Sequence, residues 1–251
     1  MRKVVFIISF LTVLISGRAQ EPDSLFGSAN RAFANAYYDE AITQYEKILE
    51  KGYASADLYF NLGNAYFKNK DYPSAILYYE KAKKLDPRDE DINFNLQVAN
   101  ARIVDKIEPV PELFLKRWWR SFVNIFSADT WAYIAVTGLI LFFILLAFYL
   151  LSRRIRIRKI SFFTGLGILA ITLLAFAVSF RSYNYENSEN SAIVFTPTIT
   201  VKSSPNQNSV DLFVIHEGAK VQLLDQVGNW YEIRIASGSV GWLPSESVKK
   251  I

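Results

Sequence analysis

Two long uncharged segments constrain the second half of the chain. Residues 131–151 carry no charged side chain, and residues 162–180 form a second uncharged run. A helix rises 1.5 Å per residue, so about 20 apolar residues cross the roughly 30 Å hydrocarbon core of a bilayer. A buried helix of a soluble protein could be as apolar, but two such runs in tandem favour a membrane hairpin. We therefore predict transmembrane helices at 130–151 and 161–180.

The segment between these runs, residues 152–160, is predicted to be a basic loop. Its cationic residues are Arg153, Arg154, Arg156, Arg158 and Lys159. Short basic loops stay on the cytoplasmic side of a membrane. The net charge of +4 and pI near 9.1 would also suit a nucleic-acid partner, but the position of these residues indicates a topology signal. We expect a lipid bilayer and no nucleic acid as partner, with both flanking soluble parts outside the cytoplasm.

The first 19 residues have the layout of a secretory signal peptide. Arg2 and Lys3 precede an apolar run that ends in the small-x-small triplet Gly17-Arg18-Ala19. Residues 1–19 are therefore predicted to be a signal peptide, with an uncleaved anchor helix as the alternative. Either form exports the residues that follow.

The composition leaves little for catalysis. The chain has no cysteine and a single histidine, His216, which excludes disulfides, thiol catalysis, cysteine-ligated metals and a lipoprotein anchor. Paired carboxylates alone can hydrolyse glycosides, but Glu46, Glu80 and Asp86 fall at ordinary exposed positions of predicted helices. We expect a non-enzymatic protein without catalytic residues, metal or cofactor.

A 34-residue period organises residues 22–109. Ala41 and Ala75 are 34 residues apart, as are Tyr45 and Tyr79, and the sequence LYFNLG at 58–63 recurs as INFNLQ at 92–97. This pattern resembles the tetratricopeptide repeat, a helix-turn-helix unit. The matching signature residues are Leu62, Gly63, Tyr66, Tyr72, Ala75, Tyr79, Ala82 and Pro87. The resemblance implies an all-α solenoid of about two and a half repeats, fewer than the three that such arrays usually need, so we expect it to lean on other structure.

In the tetratricopeptide family, the first helix of each repeat lines a groove that holds an extended peptide. The matching groove positions are Asn30, Asn61, Asn64 and Asn95. An asparagine amide can pair with both the N–H and the C=O of a peptide backbone; the alternative is ordinary surface asparagine. Phe26 and Asp91 stand where the carboxylate-gripping class has basic residues, which favours general peptide docking over capture of a C-terminal carboxylate.

Residues 112–127 have an amphipathic pattern. Phe114, Trp118, Phe122 and Phe126 recur at a spacing of four, with basic residues between them. We interpret this segment as a helix lying at the membrane surface. The alternative is a last repeat helix packed on the preceding domain.

After a polar linker at 181–190, the pattern changes to short alternating strands at 198–202, 220–224, 230–235 and 238–243. Residues 191–251 resemble the bacterial SH3 domain, through VKSSP, H-E-G, G-N-W-Y and G-x-x-G-W-L-P. This resemblance implies a small all-β barrel. It places Trp230, Tyr231 and Trp242 at a surface for cell-wall or peptide ligands, although tryptophans packed across the barrel are the alternative. His216 is predicted to stabilise a turn.

The predicted fold class is a multidomain membrane protein with a tetratricopeptide solenoid, a two-helix transmembrane hairpin and a C-terminal SH3-like barrel. This order resembles the BatE-type proteins of the Bacteroidetes aerotolerance cluster. The resemblance implies an inner-membrane scaffold with periplasmic domains, which works with von Willebrand A domain-containing Bat proteins and a MoxR-type ATPase in aerotolerance or envelope stress. The alternative function is a peptidoglycan-binding sensor or tether acting through the barrel.

Overall fold

A computed structural model describes residues 20–106, 113–123, 125–186 and 190–251. The predicted signal peptide, residues 1–19, lies outside the described residues. The chain forms two compact units. The first combines the N-terminal helices with residues 190–251, and the second contains the two apolar helices.

The first unit begins with five helices joined by short turns. They are α1 (Gln20–Ala34), α2 (Tyr38–Glu50), α3 (Ala56–Lys68), α4 (Tyr72–Leu85) and α5 (Glu90–Asn100). Ser55 and Asp89 cap α3 and α5, because their side chains accept hydrogen bonds from the first-turn amides of Leu58 and Ile92. Ala36 and Lys70, 34 residues apart, both have positive φ and end the first helix of a repeat. The period seen in the sequence is therefore also a period of backbone conformation.

The helices cross closely at the small residues of the repeat. A Cβ built on Gly63 would lie 2.7 Å from ring atoms of the buried Tyr79. Tyr79 fills this space from α4, and Tyr45 does the same from α2, where Ala29 takes the position of glycine. The hydrophobic core of the helical part is thus built around one large tyrosine per repeat.

Residues 191–251 form a seven-stranded antiparallel sheet. Its strands are β1 (Ser191–Val194), β2 (Thr198–Lys202), β3 (Asp211–His216), β4 (Lys220–Val227), β5 (Trp230–Arg234), β6 (Val240–Pro244) and β7 (Val248–Lys250), paired in the order β3-β2-β6-β5-β4-β1-β7. Val201, Ile215, Val221, Ile233 and Leu243 are buried at its centre. This is the all-β C-terminal domain expected from the sequence. The strands β1, β3 and β7 lay outside the predicted alternating segments.

The barrel packs directly on the last helices of the array. Ile193 of β1 and Ile251 at the chain end are buried in one apolar cluster with Ile76 of α4 and Leu96 of α5. Gly218, in the β3–β4 turn, approaches Ile103 so closely that an added Cβ would lie 2.4 Å from its Cγ2 atom. The barrel therefore covers the apolar surface that a further repeat would cover in a longer array.

Two polar contacts frame this apolar interface. The His216 backbone N–H donates to Asp105 Oδ2 at 2.7 Å, and His216 Nδ1 lies 2.9 Å from Asp105 Oδ1. Lys220 Nζ donates to Glu80 Oε2 at 2.7 Å. The expectation that Glu80 lies on an exposed helix face is wrong, since Glu80 is buried against the barrel. Helical spacing alone could not reveal this burial, because the covering strand comes 140 residues later.

The second unit contains α6 (Phe114–Val123), α7 (Ala128–Leu151) and α8 (Ile155–Glu186). Helices α7 and α8 are long and apolar enough to cross a membrane. They approach closely at Gly138, where an added Cβ would lie 2.3 Å from Thr172 Oγ1. Ser179 Oγ also donates to the Ala128 carbonyl at 3.0 Å. Small residues and hydroxyls at a helix contact are typical of packing inside membranes.

Three predicted boundaries in this unit are corrected. Only residues 152–154 separate α7 from α8, so most of the predicted basic loop 152–160 is helical, and α8 also continues through residues 181–186 of the predicted linker. Neither segment contains glycine or proline, and polar or basic side chains do not by themselves end a helix. The amphipathic helix is shorter than the predicted 112–127, because Ser127 already caps α7 through the Thr130 amide.

The fit of Gly218 against Ile103 generates a testable prediction. Gly218→Ala should separate the barrel from the helices, because the new methyl group would overlap the Ile103 side chain. Deuterium uptake should rise in residues 100–106 and 191–195 while the barrel centre at Ile233 stays protected. The matched control is Gly228→Ala, since Gly228 also has positive φ but no atom within 4 Å of an added Cβ. Equal deuterium uptake in the two variants would contradict the role of the Gly218–Ile103 contact in holding the barrel on the helices.

Candidate functional site

The four predicted groove asparagines form two equivalent hydrogen-bonded sets. Asn30 Oδ1 accepts from Tyr45 Oη at 2.6 Å and from Asn61 Nδ2 at 3.3 Å. One repeat later, Asn64 Oδ1 accepts from Tyr79 Oη at 2.7 Å and from Asn95 Nδ2 at 2.9 Å. Each set joins three helices: the two helices of one repeat and the first helix of the next.

These contacts give the asparagines a structural role. Their amide orientations are set by the buried tyrosine hydroxyls and by neighbouring amides, so the fold holds the row in one geometry. The row ends at α5, because Val98 occupies the position equivalent to Asn64. The asparagines that stabilise the helix packing are the same ones that were predicted to bind a peptide. Peptide binding by these side chains stays a prediction.

A cavity opens beside the second asparagine set. It has a volume of about 180 Å³ and is lined by residues of α1, α3, α4 and α5, namely Phe33, Asn64, Phe67, Lys68, Tyr79, Asn95 and Val98. Its wall thus combines two amides and one cation with aromatic and aliphatic surface. Such a surface suits an extended peptide, whose backbone bonds to amides while its side chains enter apolar space.

Burial changes the acidity of the tyrosines around the asparagine sets. Burial raises the pKa of Tyr45 to about 12, and it raises the pKa of Tyr79 further, partly offset by a hydrogen bond from Asn95. Where Tyr78 of α4 stacks on Tyr66 of α3, burial, together with the neighbouring Glu46 carboxylate, raises the pKa of Tyr78 to about 12. These phenols are held neutral because the interior disfavours phenolate.

The predicted aromatic surface of the barrel divides between two faces. On β6, Gly241 and Leu243 are buried, so Trp242 lies on the outer face, opposite Glu232 of β5 and Lys202 of β2. Trp230 pairs with Pro244 and shares this outer face, diagonal to Trp242.

Tyr231 does not share the outer face. It lies opposite Leu243 and packs against the buried cluster of the barrel. Strand alternation separates adjacent residues in this way. Trp230 and Trp242, both half-buried, therefore lie on the outer face, whereas Tyr231 packs toward the core of the barrel.

The basic residues predicted as a topology signal lie at one end of the apolar pair. Arg153 and Arg154 lie between α7 and α8, and Arg156, Arg158 and Lys159 belong to the first turns of α8. All five are exposed. Arg158 lies over the Tyr149 ring, with its guanidinium carbon 5.2 Å from the ring centroid.

Sequence reasoning missed the partner of His216. A turn-stabilising role was predicted, but the ring and backbone of His216 bind Asp105, a residue of the helical part. No local pattern could have indicated this pair, whose members are 111 residues apart. Within the described ranges, no group of three His, Cys, Asp or Glu side chains is arranged to hold a metal ion.

Two segments match models of known protein families. Residues 56–89, which contain α3 and α4, match the tetratricopeptide repeat. Residues 197–249 match the bacterial SH3 domain. No curated protein matches the chain. A tetratricopeptide repeat and a bacterial SH3 domain are therefore present, as the sequence predicted, and domains of these kinds point to protein partners.

The raised tyrosine pKa values predict alkaline destabilisation of the helical part. Below pH 10 the phenols are neutral in both the folded and the unfolded chain, so they add no pH dependence. Between pH 10 and 12 the unfolded chain ionises while Tyr45 stays neutral in the fold, so the free energy of unfolding should fall by up to about 1.4 kcal/mol per pH unit for each such tyrosine. Urea midpoints of the full chain in detergent, followed by ellipticity, measure this loss.

Two substitutions separate this effect from general alkaline damage. Tyr45→Phe should lower stability at pH 7 by about 1 kcal/mol, because Asn30 loses a hydrogen-bond donor, and should also reduce the loss above pH 10. Tyr37→Phe removes an exposed phenol and should change neither. An identical pH profile for wild type and Tyr45→Phe would contradict the assignment.

Proposed function

We propose that this chain is a membrane-anchored scaffold whose helical groove binds an extended segment of a partner protein. The observation that carries the proposal is the cavity at Asn64 and Asn95, which combines oriented amides with apolar surface. The tetratricopeptide match over α3 and α4 supports the same reading, because those helices form part of the cavity wall. We propose that the protein has no enzymatic activity and uses no cofactor.

The arrangement of the first unit supports a common location for both soluble parts. Residues 20–106 and 190–251 pack into one unit, although two apolar helices lie between them in the sequence. If α7 and α8 both cross a membrane, the chain leaves the first unit and returns to it on the same side of that membrane. The basic residues at the other end favour the cytoplasm there. We therefore propose a multi-pass protein of a bacterial inner membrane with both soluble domains in the periplasm.

Helix α6 fits a position at the membrane surface. Phe114, Leu115 and Trp118 expose most of their side chains, and Lys116 and Arg117 lie beside them. Phe122 of the same helix packs on Trp131 of α7, with 5.7 Å between ring centroids. This contact ties α6 to the first apolar helix, so its exposed aromatic residues lie near the headgroup region that tryptophan favours.

The resemblance to BatE-type proteins refines the partner class. We propose integral membrane proteins that carry von Willebrand A domains as partners, in a complex for aerotolerance or envelope-stress resistance. A scaffold of this kind needs only binding surfaces, and the cavity and the interfacial helix supply two.

A second function is favoured by the outer face of the barrel. Trp230 and Trp242 are half-buried on that face, where flat aromatic surface suits sugar rings or peptide stems. Peptidoglycan binding through these residues would make the chain a wall sensor or tether.

Purification of the full chain from gently solubilised membranes tests the two functions together. Val98→Glu should reduce co-purification of membrane partners by roughly tenfold, equivalent to about 1.4 kcal/mol, because the added side chain would enter the cavity beside Lys68. Trp230→Ala/Trp242→Ala should leave partner recovery unchanged and, if the second function holds, abolish sedimentation with purified sacculi.

Gln97→Glu is the matched control for the groove variant. It adds the same charge at the neighbouring position of α5, which is exposed and does not line the cavity. Equal partner recovery from Val98→Glu and Gln97→Glu would rule out the groove as the binding surface. Loss in both variants would assign the effect to charge rather than to the cavity.

A further inference from the structure

A second cavity lies at the basic end of the apolar helices, within the second unit. It measures about 280 Å³ and is lined by Tyr149 of α7 and by Ile155, Arg158, Lys159, Phe162 and Phe163 of α8. Tyr149 and Phe162 pack with 5.7 Å between ring centroids. The wall of the cavity therefore combines two cationic side chains with aromatic and aliphatic ones.

The depth of this cavity follows from the lengths of the helices. Helix α7 has 24 residues, or about 36 Å at 1.5 Å per residue, which exceeds a hydrocarbon core of about 30 Å. Tyr149 is two residues from its end, and Ile155, Arg158 and Lys159 lie in the first turns of α8. In a spanning pair, these residues reach the level where phosphate groups meet the first carbons of the acyl chains.

The charge at this end has no counterion in the same part of the sequence. Five cationic residues lie within 153–159, and no aspartate or glutamate occurs between Asp129 and Glu186. If α7 and α8 span a membrane, both of these carboxylates belong to the opposite end of the pair. Anions for the basic end must therefore come from outside the two helices.

The geometry points to an acidic phospholipid in this cavity. We propose that Arg158 and Lys159 bind the headgroup phosphate and that Ile155, Phe162 and Phe163 contact the upper acyl chain. Arg158 is positioned over Tyr149, which fixes a planar donor group that can meet two phosphate oxygens at once. A free phosphate ion would satisfy the cations but leave the apolar lining exposed, whereas a phospholipid matches both kinds of lining residue. Basic cavities between membrane helices on the cytoplasmic side are known to take such headgroups.

This inference rests on the proposed membrane crossing, so its test begins with a check of insertion. The wild-type full chain should resist extraction of membranes with alkaline carbonate. Release by carbonate would refute the membrane hairpin itself and the lipid site with it. Retention would establish insertion independently of any lipid preference.

Native mass spectrometry of the full chain in mild detergent then tests the site. Titration with phosphatidylglycerol should give a bound lipid at concentrations at which phosphatidylcholine does not bind. Arg158→Gln/Lys159→Gln should weaken phosphatidylglycerol binding by about tenfold. A tenfold excess of inorganic phosphate should not displace the lipid if the acyl contacts contribute; displacement would assign the site to the free anion.

The matched control is Arg153→Gln/Arg154→Gln. It removes the same two charges from the same end of the helices but changes no residue that lines the cavity. Both pairs are exposed, and each variant keeps three of the five basic residues. We expect the control to change affinity by less than twofold. Equal weakening by both double variants, or no weakening by either, would overturn the proposal in favour of general surface charge or of no site.

Discussion

The apolar contact of Ile193 and Ile251 with α4 and α5 holds the soluble part of this protein together. A stack of helical repeats buries its hydrophobic surface only where another repeat covers it, and this array stops after the fifth described helix. The first and last segments of the barrel supply the missing cover, since both isoleucines are buried in the cluster of Ile76 and Leu96. The C-terminal domain is thus part of the hydrophobic core of the N-terminal one.

This contact has consequences for the rest of the chain. The barrel can reach α5 only if the chain returns to the unit that it left. If the two apolar helices cross a membrane, a hairpin of two crossings brings the chain back to its starting side, whereas an odd number of crossings would not. The same contact braces α5, and α5 carries Asn95 and Val98 of the cavity wall. A groove formed by an incomplete array would be mobile if its last helix were uncovered. The hydrogen bonds between Asp105 and His216 and the ion pair between Glu80 and Lys220 set the orientation of the barrel on the helices.

The elements that depend on local or periodic patterns were predictable from the sequence. The 34-residue period placed Tyr45 and Tyr79 in equivalent positions, the uncharged runs placed α7 and α8, and alternation placed β2 at 198–202. Polar composition misled at 155–160 and 181–186, because polarity is not a helix breaker. The burial of Glu80 and the partner of His216 arise from contacts over more than 100 residues of sequence. The asparagine positions were predictable from the repeat, but their bonds to tyrosine hydroxyls required the packing of three helices.

The most direct test of this account is zero-length carbodiimide cross-linking of the full chain in native membranes, because this reagent joins only amines and carboxylates that touch. Lys220 Nζ lies 2.7 Å from Glu80 Oε2 across the helix–barrel contact, and mass spectrometry should find their peptides joined. Lys202 and Asp211 form an ion pair between β2 and β3 of the same domain and serve as the internal control. Recovery of both cross-links is the predicted result. Recovery of the Lys202–Asp211 cross-link without the Lys220–Glu80 cross-link would show that the barrel does not cap the repeats and would contradict the account.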